Sequence, residues 1–174
     1  MTVLGTTQMK FFSFFNTLAS ATLAVTFFPA FAAAQTIAPA DVVITSDLTV
    51  ETPLTSDEPD AFRGLNVFID RKLGNCVACH SNFDVAAMQF LGEIGPNLDW
   101  IGDSYSPAQF RAILVDSKQI FGPGAVMPAF YTTREGYRTL DAFKGKTILT
   151  AQQIEDVVAY LSSLTRTDNF DGVD

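Results

Sequence analysis

The chain is short of the residues that build most catalytic and metal centres. It has one histidine and two cysteines in 174 residues. Cys76 and Cys79 have only two residues between them, and a bridge closing so short a loop restrains little chain entropy, so a disulfide-stapled scaffold is excluded. A structural zinc site wants four Cys or His ligands, and only three such residues exist. Positive charge is scarce as well. Eleven Lys and Arg against nineteen Asp and Glu give a net charge of −8. Nucleic-acid binding rests on cations that neutralise phosphates, and this balance has the wrong sign for it. There is no internal repeat, no β-hairpin turn signal and no second domain. Beyond the first thirty or so residues no run is apolar enough to span a bilayer.

The one long apolar run lies at the start. Lys10 is the only charge before Asp41, and it precedes an apolar stretch over 11–28, then Pro29 and Ala32-Ala33-Ala34. A basic start, an apolar middle and a small-residue exit read as a secretory signal peptide over 1–34, removed on export. Asn16, Ser13, Ser20 and the alanine-rich exit count against an uncleaved anchor, so no stable membrane insertion is expected after cleavage. Removing 1–34 takes away one lysine and no acid, which leaves the mature chain more acidic still.

The mature part reads as one all-α domain with an extended leader over 35–56, a folded domain over 57–166 and a polar tail over 167–174. The leader is rich in Thr, Pro and Asp and reads as partly ordered, an arm available to a partner. A first helix is expected from Pro59, with Asp57 and Glu58 at its positive end and Ala61, Leu65, Phe68 and Ile69 at helical spacing; Gly74-Asn75 stops it. A second helix starts at Ser106 with Pro107 in its first turn, turns Phe110, Ile113 and Leu114 inward, and ends near Ile120. Gly122-Pro123-Gly124 forces a loop that carries Met127-Pro128. The last helix has Thr150 as N-cap and Gln153 three residues on, a capping-box pattern, followed by the apolar stripe Ile154, Val157, Val158, Leu161 and Leu164.

Cys76-Val77-Ala78-Cys79-His80 is C-x-x-C-H, the pattern of covalent c-type haem attachment. Two thiols at this spacing add to the two vinyl groups of one haem, and the next residue offers an imidazole nitrogen to the iron. A thioredoxin-like pair would open a helix in a βαβ context, which is absent, and a plain disulfide would leave His80 without a role. Because His80 is the only histidine, a second histidine ligand from this chain is excluded. The sixth ligand is then a methionine, something rarer, or an open position. Met88 lies in an apolar stretch and reads as core filler. Met127 lies in a loop pinned by glycine and proline, as a weak thioether ligand needs, and is the favoured one. Methionine–histidine ligation raises the potential and blocks small oxidants from the iron, which points to one-electron transfer. A ligating histidine normally donates its other N–H to a fixed acceptor, and the carbonyl of Pro96, in the Gly95-Pro96-Asn97 turn, is placed to take it. A haem peroxidase, with an open distal site, is the catalytic alternative.

The order of a Gly/aromatic helix, C-x-x-C-H, Gly-Pro-x-Leu, Met-Pro and a terminal aromatic helix resembles class I cytochromes c over nearly the whole mature chain. The resemblance implies that Gly64 and Phe68 of the first helix pack against Tyr160 of the last, and that the chain holds one haem c. A narrower resemblance is carried by 73–80, by Gly95-Pro96-Asn97-Leu98, by 127–131 and above all by 143–161. These are similar to SoxX, the monohaem subunits of SoxAX sulfur-oxidation complexes. That resemblance implies a periplasmic electron-transfer subunit in a heterodimer with a SoxA-like dihaem or monohaem subunit that carries the catalysis. It further implies a SoxYZ carrier whose cysteine is joined to thiosulfate, and a small acceptor cytochrome c. A free-standing periplasmic carrier is the main alternative. For a permanent interface the leader and the aromatics Phe130, Tyr131, Tyr137 and Phe143 are the candidates. Arg134, Arg138, Lys144 and Lys146 gather in one loop, opposite in sign to the acidic leader.

Overall fold

The computed structural model describes residues 35–166 except Glu135, Tyr137 and Arg138, together with Thr2 and Gly5. The expected signal peptide, apart from Thr2 and Gly5, and the expected polar tail lie outside the described residues, as do Tyr137 and Arg138. Among the described residues regular structure is helical: α1 (Ala61–Ile69), α2 (Pro107–Phe121) and α3 (Ala151–Ser163), joined by loops with short 3-10 turns. The one β contact among the described residues is an isolated antiparallel bridge between Thr36 and Thr55. No described helix is long and apolar enough to cross a membrane.

The first helix begins later than expected, because Asp60 rather than Pro59 opens it. The Asp60 carboxylate accepts the Arg63 N–H at 2.7 Å, satisfying one orphan donor of the first turn. The helix also ends earlier, at Ile69, and a turn closed by the Asn75 N–H on the Asp70 carbonyl (3.0 Å) intervenes before the cysteines. Gly64, Val67 and Phe68 form its buried face. That face lies on α3, whose start is set by the expected capping box: Thr150 Oγ1 accepts the Gln153 N–H and Gln153 Oε1 accepts the Thr150 N–H.

The two helices cross almost in backbone contact. A Cβ at position 64 would stand 2.0 Å from the Asp156 carbonyl oxygen and 2.8 Å from Tyr160 Cβ, so only glycine fits. One turn on, Phe68 meets Tyr160 edge to face at 5.4 Å. The crossing is tied at its rim by Arg63, which donates from Nε and Nη2 to both oxygens of Asp156 (2.9 and 2.8 Å). Burial of Asp156 alone would raise its pKa. Hydrogen bonds from Arg63, from Gln152 and from the Asp60 N–H outweigh that and hold the carboxyl below the usual carboxylate range.

The second helix opens at the expected place. Ser106 and Gln109 exchange capping-box hydrogen bonds, and Pro107 occupies the first turn. It buries Phe110 and Leu114. At Asp116 the backbone leaves helical geometry (φ −150°, ψ 80°) and the helix kinks. It stops at Gly122, whose φ of +92° favours glycine.

The leader is where the chain departs most from expectation. Rather than standing partly ordered, it packs along the domain and sends two side chains into the core. Leu54 and Val50 are fully buried. The Val50 N–H donates to the Ala108 carbonyl (3.0 Å), and the Ile37 N–H to the Leu54 carbonyl (2.8 Å). Tyr131 Oη donates to the Ile37 carbonyl at 2.7 Å. Beneath it lies a buried ion pair. Arg111 of α2 donates from Nε and Nη2 to Glu155 of α3 (2.7 and 2.8 Å) and from Nη1 to the Val50 carbonyl (2.7 Å). Glu155 also accepts the Leu54 N–H at 2.8 Å. The acidic stretch thus wraps onto the domain because two buried charges need its main-chain groups.

Three smaller expectations also change. Met88 is not core filler but stands exposed (38%). Phe130 and Tyr131, considered for a partner surface, are buried in this chain's own core, which leaves Phe143 as the exposed member of that group among the described residues. Arg134 and Lys144 are paired within the chain, with Asp116 and Asp141.

Candidate haem site

The attachment motif is a single tight turn. Asn75 adopts the left-handed conformation (φ 49°), which Asn tolerates better than other side chains, and a 3-10 turn follows over Cys76–Ala78. The N–H groups of Cys79 and His80 both return to the Cys76 carbonyl (3.0 and 2.9 Å). Cys76, Cys79 and His80 therefore line one side of one cavity. Both cysteines are half-buried, and burial pushes the thiol of Cys76, before attachment, up to about 12.

The loop after the motif fixes the histidine. The Gly95 N–H donates to the Cys79 carbonyl (2.8 Å) and the Leu98 N–H to the Ser81 carbonyl (2.9 Å). This lays the Gly95-Pro96 turn against the imidazole. A Cβ at position 95 would fall 2.3–2.7 Å from three ring atoms of His80, so the contact requires glycine. His80 Nδ1 lies 2.8 Å from the Pro96 carbonyl oxygen. A carbonyl only accepts, so Nδ1 carries the proton and Nε2 keeps its lone pair free.

The cavity has a volume of about 790 Å³, within the range of about 300–1,000 Å³ for cofactor sites. Its walls are apolar: Phe68, Leu98, Phe110 and Leu114 line it, and Met127 lines it too. Met88 does not. Met127 comes from the loop after α2 and is half-buried. A largely apolar cavity with two thiols, one tautomerically fixed imidazole and one thioether is the donor set that haem c needs, and the residues present fit it. Cys76 and Cys79 could hold the macrocycle covalently, and His80 and Met127 could hold the iron.

The sequence did not point to Asn82 or Ser117. Asn82 is buried, donates from Nδ2 to Tyr160 Oη (2.9 Å) and accepts the Val85 N–H (3.3 Å), tying the segment after His80 to α3. Burial pushes the Tyr160 phenol well above its ordinary pKa, so it stays neutral beside the cavity. Ser117 bonds the main chain of the Met127 loop. Single polar residues whose partners are main-chain atoms or one distant phenol leave no pattern in a sequence.

An all-α domain closing around a C-x-x-C-H cavity defines a class, the c-type cytochromes. The family model described as Cytochrome c matches residues 63–165, and the chain belongs to that family and carries one covalently bound haem c. Among solved structures it is similar to a chain in the crystal structure of SoxXA from P. pantotrophus. The two are 40% identical, the match covers 75% of this chain and 99% of that one, and the TM-score is 0.68. No curated protein sequence matches. The chain is a SoxX-like class I cytochrome c, an electron carrier.

Proposed function

We propose that this chain is the electron-transfer subunit of a periplasmic SoxAX-type complex, paired in a heterodimer with a SoxA-like haem subunit. In the reaction it serves, a cysteine thiol on a SoxYZ carrier is joined to thiosulfate. A sulfur–sulfur bond forms, and one proton and two electrons leave. This chain takes those electrons one at a time and hands them to a small acceptor cytochrome c. Haem supplies the one-electron Fe(III)/Fe(II) couple.

What the chain contributes is attachment and environment. Cys76 and Cys79 tether the group through thioethers, which leaves no thiol on this chain for sulfur chemistry. His80, its Nδ1–H held by the Pro96 carbonyl, presents Nε2 in a fixed direction, and that hydrogen bond raises the ligand's basicity. Met127, which lines the same cavity, would offer the iron a thioether; a soft thioether would favour the reduced state and leave no open position for small oxidants, so electron transfer rather than peroxidase chemistry is favoured. The apolar walls exclude water, which lowers the solvent response to a change of charge.

One observation carries the choice of a subunit over a free carrier: the chain is 40% identical to a chain in a SoxXA crystal structure and covers 99% of it. Mild affinity isolation of the full chain from its native cells, with haem staining of what accompanies it, tests the proposal. A second, larger haem-stained polypeptide is expected. A lone haem-stained band, with no reduction by thiosulfate, would leave a free-standing carrier instead.

A further inference from the structure

We propose that the kink in α2 is the device that positions Met127, and that Ser117 is its central positioning residue. The inference rests on the reading of Met127 as the axial ligand, and its test separates the two.

Three consecutive residues at the kink, Asp116, Ser117 and Lys118, all turn toward the loop over 125–134. Ser117 is fully buried. A serine inside a regular helix commonly bonds back to the carbonyl four residues earlier. Here its single hydroxyl hydrogen is directed at the Met127 carbonyl (2.6 Å) and the Pro128 carbonyl (3.1 Å). Lys118 Nζ bonds the Ala125 carbonyl. The Asp116 carboxylate takes the Lys118 N–H (3.2 Å) and Gln119 Nε2 (2.7 Å), and pairs with Arg134.

The helix backbone takes part as well. In an unbroken helix the carbonyls of Leu114 and Val115 would serve the N–H groups four residues on. With the backbone broken at Asp116 they accept from Phe130 (3.0 Å) and Tyr131 (3.2 Å). The Phe130 carbonyl in turn accepts from Ile148 and Leu149 (3.0 and 3.1 Å), which anchors the loop's far side to the entry of α3. The loop is clamped at Ala125, Met127, Pro128, Phe130, Tyr131 and Arg134, with Ser117 acting on the main chain of the ligand residue itself. A neutral thioether binds iron weakly, so its occupancy depends on how little the loop must be ordered on binding.

The test compares haem-loaded wild type with Ser117→Ala, Ser117→Thr, Lys118→Met, Asp60→Ala and Met127→Ala. Three quantities are read: the sulfur-to-iron absorption of the oxidised protein, the midpoint potential, and the affinity for added imidazole, which competes with Met127. Ser117→Ala is expected to bind imidazole about three- to tenfold more tightly, the size set by loss of one hydrogen bond. Its potential should fall part of the way toward that of Met127→Ala. Ser117→Thr, which keeps the donor, returns both toward wild type. Lys118→Met, at a half-buried position, moves both in the same direction by less, and serves if Ser117→Ala does not fold. Asp60→Ala loses the cap of α1, which has no bond to the loop, and should lower Tm without moving potential or imidazole affinity. The positioning role is overturned if Met127→Ala shifts the three readouts while Ser117→Ala and Lys118→Met do not, or if Asp60→Ala shifts them equally. A Met127→Ala protein with the wild-type spectrum overturns the ligand reading, and this proposal with it.

Discussion

At the scale of single residues, the cavity depends on contacts with no slack. The His80 ring is trapped between its own turn and Gly95, where a methyl group would lie 2.3 Å from Cε1. Gly95→Ala must rotate the ring or push the Pro96 carbonyl away from Nδ1, so it is expected to lower the ratio of haem to polypeptide in purified protein. His80→Ala should prevent a stable holoprotein altogether. Met127→Ala is expected to keep haem, since attachment rests on Cys76 and Cys79, but to lower the midpoint potential, measured by spectroelectrochemistry. A Met127→Ala potential equal to wild type would remove Met127 from the ligand set. These residues could be singled out in advance because their chemistry is rare in this chain and their spacing is local. Met127 stood out from Met88 through its neighbours, Gly122, Pro123, Gly124 and Pro128. Ser117 and Asn82 did not stand out, because a lone serine or asparagine carries no information about which distant carbonyl or phenol it will meet.

At the scale of elements, the crossing of α1 and α3 sets the frame on which the attachment turn is built. Gly64→Ala places a methyl into the Asp156 carbonyl, which neither helix can yield cheaply. A loss of about 1–3 kcal/mol is expected by denaturant titration of the holoprotein, the usual size of an overpacking change. The rim of the same crossing is pH-sensitive. Asp156 ionises at a lower pH in the folded chain than in the unfolded one. Its contribution is therefore complete above the unfolded carboxylate value of about 4 and is lost as pH falls through the lower folded value. Asp156→Asn should be less stable than wild type at neutral pH, and the gap should narrow on acidification; a constant gap would mean that the carboxylate is not the source. The apolar stripe of α3, its capping box and the start of α2 at Ser106 were legible, since they follow from the helical period, from residues three apart and from a proline in the first turn; the box between Ser106 and Gln109 was not read. The inward turn of Glu155 and Asp156 was not. Acids on a helix read as solvent-facing until their partners are known, and Arg111 and Arg63 lie 44 and 93 residues away.

At the scale of the whole molecule, the leader shares the core and the buried hydrogen bonds of the helical domain, so the two are expected to unfold as one cooperative body. Arg111 and Glu155 are both almost wholly buried (7% and 4%), and each has a hydrogen bond to leader backbone, at Val50 and Leu54. Deleting 35–56 would remove those two partners together with the buried Val50 and Leu54 side chains, each worth about 1.5–3 kcal/mol in transfer from water. The truncated chain should therefore melt well below the mature one, and should not behave as an intact cytochrome that has merely shed a tail. Arg111→Ala is expected to cost about 3–5 kcal/mol, because it leaves Glu155 charged and unpaired in the core. The double change Arg111→Met with Glu155→Leu should recover much of that loss, since two apolar side chains need no partner. If the double variant is as unstable as the single one, the leader's main-chain bonds rather than the unpaired charge dominate. If the truncation leaves Tm unchanged, the leader is an appendage after all, free to serve as an arm for a partner. Thermal melts of the four proteins, followed by helix signal and by haem absorbance together, separate these outcomes. The two signals should move as one if leader, helices and haem pocket unfold in a single step.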